Sequence, residues 1–362
     1  MNAMDAGVDL EDVEGLLAAD RDGLLRAASM AGAQVRATAA ALNEGELDAL
    51  RSDEPPRTVI WVAGRANAET AGSMLAAALG GTVAAPIVVA SDAPPWIGAL
   101  DVLVVAGDDC GDPALVSAAA TAVRRGARVV VVAPYEGPLR DATAGRSVAL
   151  APRLQVLDDF SLSRYLAAGL ATLQVVDPAL RVDLAALADE LDAEAFRNSA
   201  ARELFTNPAK TLAERMSGRD VVLAGDNAAT LALARHGGAM MLRVAHQAVA
   251  AVGLADALVA LRGGMGGRSG GEESSIFHDE QIDGPLPRRV RTFVLSTDAE
   301  RPVVVARISG LHDVDVINAE DVPDPSDAPG AAAPANGRPE QQLAMLAVRL
   351  EMTAVYLRLV RG

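Results

Sequence analysis

The chain has 362 residues, of which 51% are hydrophobic, and 32 Lys and Arg against 48 Asp and Glu give a formal charge of −16. That charge excludes nucleic acid and anionic membrane surfaces as partners drawn by long-range attraction, and no uncharged run is long enough to span a bilayer. The single cysteine, Cys110, excludes an internal disulfide and is typical of a cytoplasmic protein. The composition predicts a soluble chain with room for two domains.

The first 56 residues predict a helical arm. Amphipathic helices are expected within 9–32 and an alanine-rich helix over 37–50, and Pro55-Pro56 interrupts the helical pattern. A first α/β domain is then predicted over 57–180, followed by a helical connection over 181–218.

The stretch from Thr58 to Gly81 predicts a strand, a tight turn and a helix. A β-branched and aromatic run, Thr58–Val62, reaches Gly64, and a helix of small residues begins near Asn67. The free amides and the dipole of such a helix N-terminus favour a bound anion beyond the end of the strand.

A weak strand is predicted at 147–151 in this half, and three stronger strands precede it at 86–90, 101–107 and 127–132. Their continuous Val and Ile runs do not alternate with polar residues, which indicates a parallel sheet covered by helices on both faces. The helix expected over Pro113–Arg125 has proline in its first turn and arginines at its end, where each is favoured.

The second half repeats the pattern. Asp220–Gly225 predicts a strand that ends in glycine, and Asn227 is expected to cap the next helix. Further strands are expected at 291–296, 303–308 and 314–317. The predicted fold class is α/β, with two doubly wound parallel-sheet domains and flanking N- and C-terminal helices. The remaining segments are a second domain over 219–322, a disordered linker over 323–339 and a docking helix over 340–362.

Several segments along most of the chain match one known family. With a glycine turn after the first strand of each domain, they resemble the sugar isomerase (SIS) fold of phosphosugar isomerases, and more specifically the bifunctional phosphoglucose/phosphomannose isomerase family. The matching segments are Pro86–Trp96, Leu103–Ala106, Gly126–Val130, Asn207–Ala213, His278–Ile282 and Met345–Gly362.

The resemblance implies a homodimer that binds a sugar phosphate and isomerises glucose or mannose 6-phosphate to fructose 6-phosphate, with no cofactor or metal. Such a reaction needs a group that opens the sugar ring and a base that moves a proton between neighbouring carbons. By resemblance, His278 opens the ring and Arg164 stabilises the developing charge. The family's glutamate base falls on 243–247, where this sequence has none, so His246 or Glu280 is the substitute base.

The resemblance also implies the substrate-binding residues. They are Gly64, Arg65, Asn67, Thr70, Gly107 and Gly225. The turn after the third strand departs from the family, because Asp108, Asp109 and Asp112 stand where hydroxyl side chains are expected. These carboxylates repel a phosphate unless they face solvent or bind a cation. The family's catalytic lysine has no match, since the only lysine is Lys210.

Alternative interpretations remain open for each candidate. His278 is equally typical of a surface loop, His246 of a half-buried position in a helix, and Arg164 of an exposed helix charge. A catalytically lapsed SIS-domain protein would bind a sugar phosphate or a partner protein without turnover. A dinucleotide-binding domain is a weaker interpretation, because the turn at 64–67 lacks the second and third glycines of the dinucleotide-binding motif.

Overall fold

The computed structural model describes residues 8–52, 54–64, 66–265, 289–319 and 338–361. Three candidate site residues, Arg65, His278 and Glu280, and most of the predicted linker lie outside these ranges.

The first sheet has five parallel strands, which are β1 (Thr58–Ala63), β2 (Ile87–Ala90), β3 (Asp101–Ala106), β4 (Arg128–Val132) and β5 (Val148–Ala149). Their order across the sheet is β2-β1-β3-β4-β5. Alternate side chains of β1 enter two different cores, with Val59 and Trp61 on one face and Ile60 and Val62 on the other. Both faces are therefore covered, as the continuous apolar runs predict.

Seven helices precede or flank this sheet in the described part of the chain. The alanine-rich helix predicted over 37–50 instead spans Ala31–Asn43, and a separate 3₁₀ turn covers Asp48–Leu50. Gly45, at a φ of 85°, interrupts the helical path between them. The helices are α1 (Val13–Ala19), α2 (Leu24–Ala28), α3 (Ala31–Asn43), α4 (Asn67–Leu79), α5 (Pro113–Arg124), α6 (Gly137–Thr143) and α7 (Leu162–Val176).

The second sheet has four parallel strands, which are β6 (Asp220–Gly225), β7 (Ala250–Gly253), β8 (Val290–Leu295) and β9 (Val314–Ile317). Their order across the sheet is β7-β6-β8-β9. The accompanying helices are α8 (Leu184–Arg197), α9 (Pro208–Met216), α10 (Ala228–Arg243), α11 (Leu254–Arg262), α12 (Arg301–Ile308) and α13 (Pro339–Arg361).

The strand predicted at 303–308 is wrong, because these residues belong to α12. Parallel strands need a crossover connection, and α12 supplies it between β8 and β9. Of its three successive valines only Val304 is buried, while Val303 and Val305 remain 57% and 47% exposed. Topology has overridden the strand propensity of the β-branched run.

Helices α4, α10 and α13 pack together between the two halves of the chain. α13 is buried on almost every side over its 23 residues, which is typical of a helix inside a core. Within the described ranges, none of the helices is long and apolar enough to cross a membrane. The protein is thus an α/β molecule with two parallel sheets and flanking helices at both ends.

Candidate functional site

The turns that follow β1 and β3 meet at the carboxyl edge of the first sheet. The amide of Gly64 donates to Ala106 O at 2.8 Å, and that of Gly107 donates to Val132 O at 3.1 Å. A Cβ atom on Gly107 would lie 2.6 Å from Leu115 Cδ1 and 3.8 Å from Gly64 Cα. The two glycines therefore let the turns and α5 approach closely. The crevice beyond such strand ends is the usual ligand site of open α/β sheets.

The N-terminus of α4 follows the turn after β1 and has no side-chain cap, and Glu69 lies in its first turn. The helix begins at Asn67. The preceding residue, Ala66, has an unusual backbone conformation with φ 49° and ψ −115°, and it forms no capping hydrogen bond with the helix because alanine has no polar side chain. By contrast, Asp112 caps α5 and Asn227 caps α10. An uncapped N-terminus presents backbone amides and the positive end of the helix dipole, both of which favour an anion.

Asn67 lies at the start of α4, but its side chain is occupied by the protein itself. Its Nδ2 atom donates to Asp158 O and Asp159 O, each at 2.9 Å, and contacts Ser161 Oγ at 3.2 Å. Asn67 is 4% exposed. The predicted substrate-binding residue therefore anchors the segment that leads into α7.

Arg243 brings a positive charge from the second half of the chain to this anchor. Its Nη2 atom donates to Asn67 Oδ1 at 3.3 Å, and its Nε atom lies 2.8 Å from Asp159 Oδ1. Arg243 ends α10, where a basic side chain also favours the helix dipole. It was not among the predicted site residues. The sequence shows a basic residue at the end of α10, but it gives no signal for the contacts of that residue with Asn67 and Asp159.

Arg164 lies in the first turn of α7 and is only partly exposed. Its guanidinium carbon lies 4.2 Å from the ring centroid of Tyr165, and its Nη1 atom has no hydrogen-bond partner among the described residues. Arg164 lines a small cavity with Gln34 and Thr38 of α3. Burial raises the pKa of Tyr165 to about 12, and the charges of Arg164 and Asp108 act on the same phenol. Arg164 is therefore half-buried, and its interpretation as an exposed helix charge is wrong.

The three aspartates after β3 have different environments. Asp112 accepts from Ala114 N at 2.8 Å, and its other oxygen lies 3.1 Å from the point where Gly64 would carry a Cβ atom. Asp109 is exposed and accepts from Gly111 N at 2.7 Å, while Asp108 is half-buried. Of the three carboxylates, that of Asp112 is thus placed beside the glycine turn after β1. In the described part of the chain, no group of three or more His, Cys, Asp or Glu residues could hold a metal ion.

His246 lies outside a helix, which corrects the half-buried helical position considered above. α10 ends at Arg243, and His246 is exposed with a φ of 52°. Its Nδ1 atom accepts from Arg358 Nη1 at 2.7 Å. Val244 and Ala245 are buried whereas His246 is exposed, so the imidazole lies at the surface beside the end of α13.

Gly225 allows close packing at the end of β6. A Cβ atom there would lie 2.2 Å from Leu231 N and 2.4 Å from the carbonyl carbon of Thr230. Asn227 forms a capping box with Thr230, as the sequence predicts for the cap, and also donates to Glu300. Contacts within the protein therefore fill the space beside Gly225 and cap the helix that follows this second glycine turn. Of the predicted binding residues, Gly64, Asn67 and Gly107 lie around the first crevice, and Thr70 is half-buried one turn into α4.

Replacing Asn67 with alanine is expected to lower the free energy of unfolding by about 2 kcal/mol, because the buried amide that joins α4 to Asp158 O and Asp159 O is lost. Urea denaturation of the variant and the wild type measures this difference. Thr70→Ala, on the same helix, is the control and should change the value by less than about 0.5 kcal/mol. Equal losses in the two variants would contradict an anchoring role for Asn67.

No protein-family model and no curated protein sequence matches the chain. Solved structures do. A glucose-6-phosphate isomerase like protein from Thermus thermophilus shares 19% identity at a TM-score of 0.53, over 98% of this chain and 94% of that one. Tagatose-6-phosphate ketose/aldose isomerase from Escherichia coli shares 14% at a TM-score of 0.60, over 98% and 96%.

The C-terminal domain of glucosamine-fructose-6-phosphate aminotransferase from Francisella tularensis shares 10% identity at a TM-score of 0.56, over 100% of this chain and 98% of that domain. These similarities extend over both sheets and the flanking helices, so they concern the complete architecture. At such low identity, they establish the fold. The chain therefore has the two-sheet fold of the phosphosugar isomerases, as the sequence resemblance predicts.

Proposed function

We propose that this protein binds a sugar phosphate at the carboxyl edge of the first sheet and isomerises it between aldose and ketose. The reaction is of the type that converts glucose or mannose 6-phosphate to fructose 6-phosphate. The observation that carries the proposal is the uncapped N-terminus of α4 beside Arg243, in a chain with the fold of phosphosugar isomerases over nearly its full length.

The phosphate is assigned to the first turn of α4. Backbone amides at that terminus donate to phosphate oxygens without requiring a particular side chain. The guanidinium of Arg243 adds a planar group of donors that suits a phosphate. In the structure this guanidinium donates to Asn67 and pairs with Asp159. Because Arg243 and Asp159 are 31% and 44% exposed, a phosphate can compete with Asp159 for the guanidinium.

The proton transfers are assigned to residues that the sequence resemblance identifies. His278 opens the ring, Glu280 or His246 moves the proton between the carbons, and Arg164 stabilises the developing charge. His278 and Glu280 lie outside the described residues, so these roles rest on the resemblance. The proposal includes the homodimer and the cytoplasmic location that were inferred from the sequence.

A second candidate function is binding of a sugar phosphate or a partner protein without turnover. Three observations favour it. The carboxylate of Asp112 faces the glycine turn where a phosphate would approach, and the exposed His246 is paired with Arg358. The 243–247 segment, which matches the family's base, contains no carboxylate.

Proton exchange at carbon 1 of fructose 6-phosphate, followed by NMR together with formation of glucose and mannose 6-phosphates, tests the proposal. Turnover is expected in the wild type, and His278→Ala should slow exchange by about 100-fold or more because general acid–base catalysis contributes that much. His312→Ala, at an exposed histidine, is the matched control. Equal rates in both variants would contradict the role of His278.

Absence of exchange in the wild type would contradict isomerisation. A saturable rise in melting temperature with fructose 6-phosphate would then support binding without turnover, because a ligand that binds only the folded state stabilises it. Absence of both signals would contradict sugar phosphate binding.

A further inference from the structure

A small cavity lies between α3, the first turns of α7 and the segment that follows β5. Its volume is about 20 Å³, which is room for one occupant about the size of a water molecule or a halide ion. The polar residues that line it are Gln34, Thr38, Arg153 and Arg164. The glycine turns do not contribute to this lining, so the cavity is distinct from the crevice of the proposed function.

Arg164 brings a charge to this cavity that the protein does not neutralise. The residue is half-buried, and its Nη1 atom is buried without a hydrogen-bond partner. Among the described residues, no carboxylate forms an ion pair with it. Asp108 and Asp158 act on the phenol of Tyr165, over which the guanidinium lies at 4.2 Å. A buried charged donor without an acceptor is unfavourable, so the two hydrogens on Nη1 call for an occupant.

The position of Arg164 in α7 adds to the unbalanced positive charge. The first turn of this helix contains no acidic residue, and Ser161 at its N-cap forms no side-chain capping hydrogen bond. The positive end of the helix dipole therefore lies beside a guanidinium. Both favour a negative charge in the cavity over a neutral water molecule.

The other polar groups of the lining already have partners in the protein. Gln34 Nε2 and Thr38 Oγ1 each donate to a backbone carbonyl oxygen, at 2.9 and 3.2 Å. Arg153 pairs with Glu44 and Glu46, each at 2.5 Å. Of the two guanidinium groups at the cavity, the one on α7 thus lacks a counter-ion within the described ranges.

We propose that this cavity binds one monovalent anion of halide size, such as chloride, which accepts from Arg164 Nη1 and links α7 to α3. A sugar phosphate is too large for this volume. The formal charge of −16 opposes anions at long range, but salt screens that repulsion beyond about 8 Å. The inference goes beyond the proposed function and does not depend on it, because it requires neither a sugar phosphate nor turnover.

The NMR linewidth of chloride, measured with the full-length protein and with gluconate replacing chloride at constant ionic strength, tests this inference. Chloride that exchanges with a protein site gives a broadened line, and the broadening should saturate. The melting temperature should also rise saturably with chloride, by at least about 2 °C, because an ion that binds only the folded state stabilises it.

Two variants alter the cavity in different ways. Arg164→Gln removes the charge and should bind chloride at least about tenfold more weakly, because a charge-assisted hydrogen bond is lost. Ala37→Leu fills the cavity from α3 and leaves every charge in place, and it should abolish binding. Arg235→Gln is the matched control, since it makes the same change of charge at an exposed arginine of α10. Melting curves in gluconate establish that each variant is folded.

The outcomes decide where chloride binds and whether it binds at all. Broadening in the wild type and Arg235→Gln that is lost in both cavity variants supports the inference. Loss in Arg164→Gln with full retention in Ala37→Leu would overturn the cavity as the site, because charge at the surface would then account for binding. Equal broadening in all four proteins would place the ion elsewhere and overturn it. No broadening by the folded wild type would mean that the cavity holds water.

Discussion

Replacing Arg349 with methionine is expected to lower the free energy of unfolding by about 3–5 kcal/mol, because it leaves a buried carboxylate without its main partner. Arg349 Nε lies 2.7 Å from Glu194 Oε1, and the two side chains are 2% and 0% exposed. The same guanidinium donates to Asn318 O at 2.7 Å and to Ala319 O at 2.8 Å. Arg349 thus joins α13 to α8 and to the segment after β9.

The same ion pair predicts how stability changes with pH. Burial alone would raise the pKa of Glu194, but the ion pairs with Arg349 and Arg197 outweigh it and lower that pKa below its ordinary value. A carboxyl group with a lowered pKa in the folded state stabilises the protein above the pKa of the unfolded chain, about 4.3. This contribution is lost as the pH falls below that value, through the pKa of the folded state.

Urea denaturation of the wild type and Arg349→Met at pH 7 measures the main effect. Arg51→Met is the control, because Arg51 pairs with Asp48 at 2.9 Å while both side chains are 62% exposed. An exposed pair of this kind contributes about 1 kcal/mol at most. Similar losses of unfolding free energy in the two variants would mean that the buried Arg349–Glu194 pair stabilises the protein no more than an exposed pair does.

The predicted fold follows from patterns that are local in sequence. The β1–α4 and β6–α10 units each combine a continuous apolar strand, a glycine turn and a helix of small residues, and the structure confirms both. β7 is missing from the predicted strands, because its four residues, AAVG, have little strand propensity. Its pairing with β6 depends on the sheet as a whole.

The crevice could be predicted only in part, because its contacts join residues far apart in the sequence. Gly64 and Gly107 follow strands, and their turns are expected to meet at one edge. The hydrogen bond between Arg243 and Asn67 spans 176 positions, and that between Asn67 and Asp158 spans 91. Hydrophobic periodicity in the sequence does not predict contacts between residues so far apart. Asn67 is therefore predicted as a ligand donor, whereas the structure uses its amide to hold the 158–161 segment.

Gly225→Ala is expected to lower the free energy of unfolding by about 3 kcal/mol, at the upper end of the usual range for overpacking. The new methyl group would lie 2.2 Å from Leu231 N and 2.4 Å from the carbonyl carbon of Thr230, both of which are backbone atoms of α10. A flexible side chain could turn away, but here the first turn of the helix must move. That movement also disturbs the capping box of Asn227 and Thr230.

Two measurements on this variant distinguish a packing role for Gly225 from the substrate-binding role that the resemblance implies. Gly81→Ala is the control, because a Cβ atom at Gly81 meets nothing within 4 Å. A packing role predicts a large loss of stability in Gly225→Ala alone, measured by urea denaturation. A binding role predicts unchanged stability and weaker affinity for fructose 6-phosphate, measured by calorimetry. We expect the first result, because α10 already fills the space in which a ligand would contact Gly225.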